Sequence, residues 1–425
     1  MCAWLATPAV VAHHPVHHPF RARHGIRHGH GPHGPGPTPR VIPSAPSGGE
    51  PVIHIAFVID TIESATAGTE RQLLHLLERL DRTRFAPVLC VLRPSDWIEQ
   101  SVLPCPVYNV SIRGFKHPAS IAGIGKFSGF LRGRRTDVVQ THFRDSTIAS
   151  VCASRLAGKV PVIATRRNQG YWQTGLDKRL QPILNRLTTA FIANSRSTMD
   201  KMVRDEGIAP ERIRIIPNGL DLSKFPWPMN GDRESTRQAL GMSRDEISVG
   251  IVANLRPIKR HDLLIEAAAI VRGRHPNARF HLFGDGDERE KLEALVRERA
   301  LDGVIRFHGR CENVPAMLPG LDIGVLCSDS ESMSNAVIEY MAAGLPVVAT
   351  NVGGVGETIV DGVTGSLVPA GDYSGLANAI ARFAADASLR NTTGQSGRRK
   401  AEGYSLDQCV AAHESLYAAI AGSAQ

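Results

Sequence analysis

Two glutamates that enclose a short run of small and polar residues are the clearest candidates for chemistry in this chain. Glu331 and Glu339 are separated by seven residues, in the segment SDSESMSNAVIEYMAAGLPVVAT. The pattern predicts a strand, a loop, and a short helix that begins near Asn335 with Ser334 as its N-cap. The backbone N–H groups of Met333, Ser334 and Asn335 would then form a helix N-terminus, which favours a diphosphate. The flanking carboxylates can accept hydrogen bonds from sugar hydroxyls, one from a ribose and one from a transferable hexose.

A larger framework must hold this helix at a cleft, and the remaining sequence predicts one. Near-continuous apolar runs of strand length alternate with helical patterns, which is typical of parallel sheets covered on both faces. The chain therefore belongs to the α/β class, with two doubly wound sheets in tandem, and the cleft beyond the carboxyl ends of their strands is the expected ligand site. The predicted strands lie at 52–60, 85–92, 107–112, 137–142, 160–165, 189–194 and 213–216 in the first sheet, and at 247–255, 278–284, 304–309, 322–328 and 345–351 in the second.

Composition excludes several classes of protein. The chain has 425 residues with 42% hydrophobic and 21% charged side chains, and no apolar run approaches the roughly 18 to 20 residues that a spanning helix needs. Its seven cysteines are dispersed without a CxxC pair, which disfavours a disulfide framework or a structural zinc site and suits a reducing cytoplasm. The net charge of +8 comes without a Lys/Arg stripe, so we expect an anionic substrate or lipid surface and no nucleic acid.

The first fifty residues differ from the rest in composition. They hold eight of the 17 histidines among many Pro and Gly residues and show no apolar periodicity. Such a segment buries too little surface to offset its ordering entropy, so we predict a disordered tail over residues 1–50. Metal binding by these histidines is an alternative to a solvated tail or a mis-assigned start codon, which we favour.

The Glu331–Glu339 segment resembles the E-x7-E segment of retaining glycosyltransferases of family 4, which have the GT-B fold. The resemblance extends over most of 52–420 through further motifs in the family's order, which are GTE (68–70), DVVQTH (137–142), IIPNGLD (215–221), FGDG (283–286), FHG (307–309) and GGVGETIVDGVTG (353–365). It implies two Rossmann-like domains that face a central cleft. The implied organisation is an acceptor-binding domain at 51–220, a linker at 221–244, a nucleotide-sugar-binding domain at 245–403, and a helix at 404–425 that packs back on the first domain.

The resemblance also implies roles for single residues. Glu331 would contact hydroxyls of the donor sugar, and Glu339 would hold the ribose of the nucleotide. His142, at the end of the fourth strand, would approach the donor sugar near the reaction centre. Arg256 and Lys259 would neutralise the diphosphate as the sugar leaves.

Two motifs depart from the family pattern. The family arginine often stands five residues before the lysine, where this chain has Asn254, so Arg256 is a substitute for it. The usual double glycine of the first loop is Ala67–Gly68 here. Gly68 would still bring its backbone close to phosphate or acceptor.

Two other readings of the acidic residues are disfavoured. Asp285-Gly286-Asp287 has the form of a DxD metal motif. The resemblance, however, implies no metal and no cofactor. The nucleoside-diphosphate sugar would serve as a substrate. A glycosidase would use two carboxylates about 5–5.5 Å or 6.5–9.5 Å apart. The sequence leaves the spacing of Glu331 and Glu339 open, but a hydrolase has no use for the surrounding phosphate-binding features.

We therefore predict a retaining, metal-independent hexosyltransferase that acts on a glycan or lipid-linked acceptor in cell-surface polysaccharide or glycolipid synthesis. The alternatives are a nucleotide-sugar 2-epimerase of GT-B fold and a non-catalytic nucleotide-sugar-binding protein. Basic and aromatic residues at 125–135 and 165–187, among them Tyr171 and Trp172, suggest peripheral attachment of a cytoplasmic enzyme to the inner face of the plasma membrane. Solvated surface helices explain these residues equally well.

Overall fold

The computed structural model describes residues 51–65, 67–112, 114–115, 119–167, 175–226 and 233–423. The tail predicted over 1–50 lies outside these residues, as do Tyr171 and Trp172. Within the described ranges no helix is both long and apolar enough to cross a membrane.

The first half of the chain forms a seven-stranded sheet in the order β3-β2-β1-β4-β5-β6-β7, in which neighbouring strands are parallel. Alternate residues of β1 enter two different apolar clusters, with Phe57 in one and Ala56 and Val58 in the other. The sheet is therefore buried on both faces, as its continuous apolar strands predict. The strands are β1 Ile53–Ile59, β2 Phe85–Val91, β3 Val107–Asn109, β4 Val138–Thr141, β5 Val162–Arg166, β6 Ala190–Ala193 and β7 Ile213–Ile215; the helices are α1 Gly68–Arg79, α2 Asp96–Gln100, α3 Ala119–Gly133, α4 Arg144–Leu156, α5 Gly175–Leu187 and α6 Arg196–Glu206.

The second half repeats this arrangement with six parallel strands in the order β10-β9-β8-β11-β12-β13. Val348 of β12 enters one apolar cluster, whereas Val347 and Ala349 enter another on the opposite face. The strands are β8 Ile247–Val252, β9 Ala278–Phe283, β10 Ile305–Gly309, β11 Ile323–Leu326, β12 Val347–Thr350 and β13 Gly365–Val368; the helices are α7 Arg233–Ala239, α8 His261–Arg274, α9 Arg289–Glu298, α10 Val314–Met317, α11 Asn335–Ala342, α12 Val355–Thr358, α13 Tyr373–Ala385 and α14 Ala387–Ala401.

The last helix, α15 (Leu406–Gly422), returns to the first sheet. Tyr417 is fully buried there, its ring lies edge-on to Phe57 at 5.9 Å, and its hydroxyl donates a hydrogen bond of 2.6 Å to Gln140 Oε1. The chain crosses between the two halves at residues 217–221 and again at 404–406. Gly219 lies at this crossing because a Cβ there would approach the Cβ of Cys409 to 2.8 Å.

The predicted α/β class with two doubly wound parallel sheets is confirmed. Each predicted strand is present, most with ends trimmed by one to three residues. The strand β13 was not predicted, because GSLV has only two apolar residues and follows directly on a turn. The boundaries proposed at residues 220, 245 and 403 stay predictions; α7, inside the proposed linker, is tied to the second sheet by an ion pair of 3.3 Å between Arg237 and Asp322.

Candidate functional site

A cavity of about 570 Å³ opens between the two halves of the chain. Its floor lies where three strands of the second sheet end, at Val252, Phe283 and Leu326. The carboxyl edge of a doubly wound sheet is the place where this topology leaves a crevice for ligands. Among the predicted site residues that line it are Gly68, Arg256, Lys259, Glu331, Met333, Ser334, Asn335 and Glu339.

The helix α11 begins at this cavity as the sequence predicts. Ser334 is its N-cap and accepts a hydrogen bond of 3.4 Å from the backbone N–H of Val337. Helix α1 of the first half also begins at the cavity, so that a Cβ on Gly68 would lie 3.4 Å from Asn335 Nδ2. Two helix N-termini, each with partial positive charge, therefore face one space, which favours a bound anion.

Lys259 and Glu331 meet directly on one wall. Lys259 ends a short 3₁₀ turn at Pro257–Lys259 between β8 and α8, and its Nζ lies 2.5 Å from Glu331 Oε1. Ser328 donates a further hydrogen bond of 2.8 Å to the same oxygen. The ion pair is only partly shielded, because the side chains are 25% and 10% exposed. An ammonium has three N–H donors, so Lys259 can bind Glu331 and a phosphate oxygen together.

Glu339 has a partner that the sequence did not predict. Arg71 of α1 reaches across the cleft, and its Nη2 lies 2.8 Å from Glu339 Oε1. The Glu339 side chain is only 4% exposed, so burial raises the pKa of its carboxyl group, while the charge and hydrogen bond of Arg71 lower it. The pair thus joins the two halves of the chain through a charge that has little contact with water.

The position of Arg71 in the sequence is the feature that could have identified it as a site residue. It directly follows the GTE motif and is the fourth residue of α1. Side chains of a helix tilt toward its N-terminus, so a long side chain in the first turn reaches past the helix end into the space beyond. The loop was expected to act through the backbone of Gly68, and no role was predicted for Arg71.

Arg256 lines the cavity as an exposed side chain, beside the equally exposed Asn254. The FGDG turn forms the adjacent wall. Gly284 and Gly286 adopt φ values of +151° and +158°, and a Cβ on Gly286 would lie 2.5 Å from the carbonyl oxygen of Leu255. These glycines let the turn pack against the loop that carries Arg256.

Asp285 of the DxD-like motif is held within its own turn and the helix that follows. Asp285 is exposed, accepts a hydrogen bond of 3.0 Å from the Gly286 backbone, and lies 3.7 Å from Arg289. Within the described ranges no group of three or more His, Cys, Asp or Glu side chains is arranged to hold a metal ion.

His142 follows β4 and lies outside the set of residues that line the 570 Å³ cavity. It is 3% exposed, its Nε2 lies 3.4 Å from Gln140 Nε2, and its Nδ1 has no hydrogen-bond partner among the described residues. Burial, with smaller contributions from Arg167 and His413, holds the pKa of His142 well below its ordinary value. The imidazole is therefore neutral at physiological pH.

A second cavity of about 800 Å³ adjoins the first on the side of the crossing point. Arg71, Asn335 and Glu339 line both cavities, so these side chains stand between them. The crossing segment supplies Gly219 and Asp221 to the wall of the second cavity. Together the two cavities form an elongated cleft.

Comparison with known proteins gives the family context. A profile of Glycosyltransferase Family 4 matches residues 66–224, and a profile of Glycosyl transferases group 1 matches residues 232–400. The D-inositol 3-phosphate glycosyltransferase of Kribbella flavida is 34% identical over 229 residues, which are 50% of this chain and 52% of that protein. The chain thus spans about half the length of the curated relatives it matches.

Solved structures share the fold at low sequence identity. HepE of Anabaena, in complex with UDP, has a TM-score of 0.76 at 21% identity, covering 86% of this chain and 100% of HepE. The sucrose-phosphate synthase of Thermosynechococcus elongatus has a TM-score of 0.74 at 19% identity, covering 87% of this chain and 100% of that one.

Proposed function

The chain belongs to the family 4 (group 1) glycosyltransferases with the GT-B fold, and we propose that it moves a hexose from a nucleoside-diphosphate sugar to a glycan or lipid-linked acceptor with retention of configuration. The observation that carries this proposal is the convergence of α11, Lys259 and two glutamates on one cavity. An N-terminus between two carboxylates suits a ligand that has an anionic centre and hydroxyl groups at both ends. A nucleoside-diphosphate sugar has this composition.

Each of these residues contacts a different part of the donor along the cleft. Glu339 accepts hydrogen bonds from the ribose, and Glu331 accepts them from the hexose. The N-terminus of α11, Lys259 and Arg256 surround the diphosphate, where negative charge grows as the glycosidic bond breaks. Stabilising that charge with groups already in place lowers the barrier most effectively.

The acceptor and the leaving diphosphate account for every bond and proton of the transfer step. The acceptor hydroxyl attacks the anomeric carbon from the face that the diphosphate vacates, the bond from carbon to phosphate oxygen breaks, and the acceptor proton passes to that phosphate oxygen. By its resemblance to the family histidine, we propose that His142 assists at the sugar as a neutral imidazole through one hydrogen bond, although its ring lies outside the lining of the 570 Å³ cavity. The cationic side chains of Lys259 and Arg256 hold the nucleoside diphosphate in position during the attack.

Known proteins support the choice of donor. HepE of Anabaena was solved with UDP-glucose, and the curated relatives are named D-inositol 3-phosphate glycosyltransferases. We therefore propose a nucleotide-sugar donor for this chain.

A panel of donors tests the proposal. Purified protein is incubated with UDP-glucose, UDP-N-acetylglucosamine, GDP-mannose and ADP-glucose, each with and without a lipid and glycan extract, and both nucleotide release and the identity of the remaining nucleotide sugar are measured. A transferase releases nucleotide only with extract, whereas a 2-epimerase converts its sugar without acceptor and a binding protein releases nothing. We expect Glu331→Ala and Lys259→Ala to abolish transfer with an unchanged circular dichroism spectrum, and substantial turnover by either variant would refute the assignment.

Peripheral attachment to anionic lipid is proposed for the first half of the chain. On α5, Leu180 and Ile183 are 40% and 59% exposed and lie one helical turn apart, with the exposed Arg179 and Arg186 beside them. Apolar side chains flanked by arginines are the composition of helices that lie in a membrane interface. Flotation with vesicles of phosphatidylglycerol and phosphatidylcholine should show salt-sensitive binding that Ile183→Ser weakens; no binding at low salt would contradict the proposal.

A further inference from the structure

A chain of three side chains crosses from the first half of the molecule into the second. Arg167, which follows β5, donates a hydrogen bond of 2.7 Å from Nη1 to Asn218 Oδ1. Asn218, in the crossing segment, donates one of 2.8 Å from Nδ2 to Asn335 Oδ1. Asn218 is 5% exposed, and its backbone N–H lies 3.3 Å from Met333 Sδ. We call Arg167, Asn218 and Asn335 the amide relay.

The direction of every bond in the amide relay follows from its first member. A guanidinium can only donate, so the atom of Asn218 that meets it must be the amide oxygen. The other end of that amide is then the NH₂ group, and it requires an acceptor, which is the amide oxygen of Asn335. The NH₂ group of Asn335 is thereby the end of this amide that the relay does not use. The orientation of both amides is thus determined by chemistry and does not depend on distinguishing nitrogen from oxygen.

The remaining donor faces the cleft. Asn335 lines both cavities, and its Nδ2 lies 3.4 Å from the position of a Cβ on Gly68. The Asn335 side chain forms no second hydrogen bond within the part of the chain that the structure describes. Its NH₂ group therefore meets whatever ligand occupies the space between the N-termini of α1 and α11.

We infer that the side-chain amide of Asn335 donates a hydrogen bond to a diphosphate oxygen of the donor, and that Asn218 is a positioning residue that keeps the NH₂ group turned toward it. This inference rests on the proposed function and adds to it a side-chain contact besides the backbone groups of α11. Arg167 acts on the phosphate indirectly. Its guanidinium orients the amide of Asn218, which in turn determines which end of the Asn335 amide the phosphate meets.

Substitutions at Asn218 separate this role from a structural one. In Asn218→Asp, one carboxylate oxygen keeps the bond to Arg167, while the other can only accept. Asn335 then turns its NH₂ group toward residue 218 and presents its oxygen to the phosphate. In Asn218→Ala, Asn335 can turn freely and retain its donor. The amide relay thus predicts that the nearly isosteric Asp variant binds nucleotide more weakly than the Ala variant, whereas a merely structural residue would show the reverse order.

The measurement is binding of UDP, GDP and ADP by isothermal titration calorimetry, with melting curves to compare the folded state of each variant. For the best-bound nucleotide we expect Asn335→Ala to weaken binding at least tenfold, since it removes a hydrogen bond to a charged group. Asn218→Asp should weaken it as much or more, and Asn218→Ala about threefold or less. The melting temperature of Asn218→Asp should match the wild type.

A double variant excludes simple repulsion by the new carboxylate. If Asn218→Asp acts through Asn335, it should change affinity by less than twofold when added to Asn335→Ala. An equal loss in both backgrounds would overturn the inference, and so would weaker binding by the Ala variant than by the Asp variant. If the wild-type protein binds none of the three nucleotides, the proposed function itself fails, and the role of Asn335 fails with it.

Discussion

Replacing Arg71 by methionine tests the buried ion pair that joins the two halves of the chain. The wild-type pair brings Arg71 Nη2 to 2.8 Å from a carboxylate that is only 4% exposed. Methionine keeps an apolar stem of similar length but removes the charge and the donors, so Glu339 must remain buried without its partner. Burial already raises the pKa of Glu339, and Arg71 is the group that opposes this rise. The variant should therefore have a still higher Glu339 pKa.

The size of the effect follows from the type of bond. A hydrogen bond to a charged group contributes about 1.5–3 kcal/mol, which equals about 1–2 pKa units at 1.36 kcal/mol per unit. Since about 1 °C of melting temperature corresponds to 1 kcal/mol in a chain of this size, we expect a loss of about 1.5–3 °C at pH 8. The loss is small enough for the variant to be purified and compared directly with the wild type.

The effect has a defined pH dependence. A carboxyl group whose pKa is raised by folding destabilises the folded state as pH rises from its unfolded value to its folded value. Wild type and Arg71→Met therefore behave alike at acidic pH, where Glu339 is protonated in both. The difference opens as pH passes the wild-type pKa of Glu339 and is complete above the pKa of the variant. Burial, with a smaller contribution from the charge of Glu339, raises the pKa values of Cys311 and Tyr340, so both stay neutral in this range.

Differential scanning fluorimetry from pH 4.5 to pH 8.5 measures this difference. The control is the double variant Arg71→Met/Glu339→Gln, which removes the buried charge and should recover most of the loss at pH 8. A pH-independent decrease for Arg71→Met, or failure of Glu339→Gln to restore the melting temperature, would refute the electrostatic explanation. In that case Arg71 contributes through packing alone.

Three further predictions test other parts of the molecule. Gly284→Ala should prevent folding of the second half, because a Cβ there would overlap a backbone carbonyl oxygen. The control Gly273→Ala on α8 has open space around its Cβ and should melt at or slightly above the wild-type temperature. Similar soluble yields of the two variants would contradict this prediction. Tyr417→Phe leaves the buried oxygen of Gln140 without its donor and should lower the free energy of urea unfolding by about 1–3 kcal/mol; an unchanged value would argue against tight docking of α15. His142→Asn should retain nucleotide affinity but slow transfer by about a hundredfold or more in single-turnover assays; wild-type rates would remove this histidine from the mechanism.

Local sequence signals were sufficient for the elements that carry the site. The apolar run of β11, the N-cap Ser334 and the glycine after α11 each act over a few residues, so the start of α11 and the position of Glu339 in its second turn could be predicted. These signals depend only on neighbours in the chain.

Partners across the cleft could not be predicted in this way. Arg71 and Glu339 are separated by most of the chain, and neither residue type indicates the other. The pairing of Lys259 with Glu331 likewise depends on how the turn before α8 packs beside β11. His142 shows the converse case, because its place at a strand end was predictable, whereas its burial beneath α15 was not.

The sequence by itself therefore determined the α/β class, the two parallel sheets, and the helix N-terminus at Asn335 with its two flanking glutamates. These features arise from periodicity, capping and backbone preference, which operate within about a dozen residues. Only the tertiary structure decided that Arg71 neutralises Glu339 and that Arg167 and Asn218 orient Asn335. Those contacts form where the two sheets meet, and hydrogen-bond direction and desolvation act there on atoms that are distant in the chain.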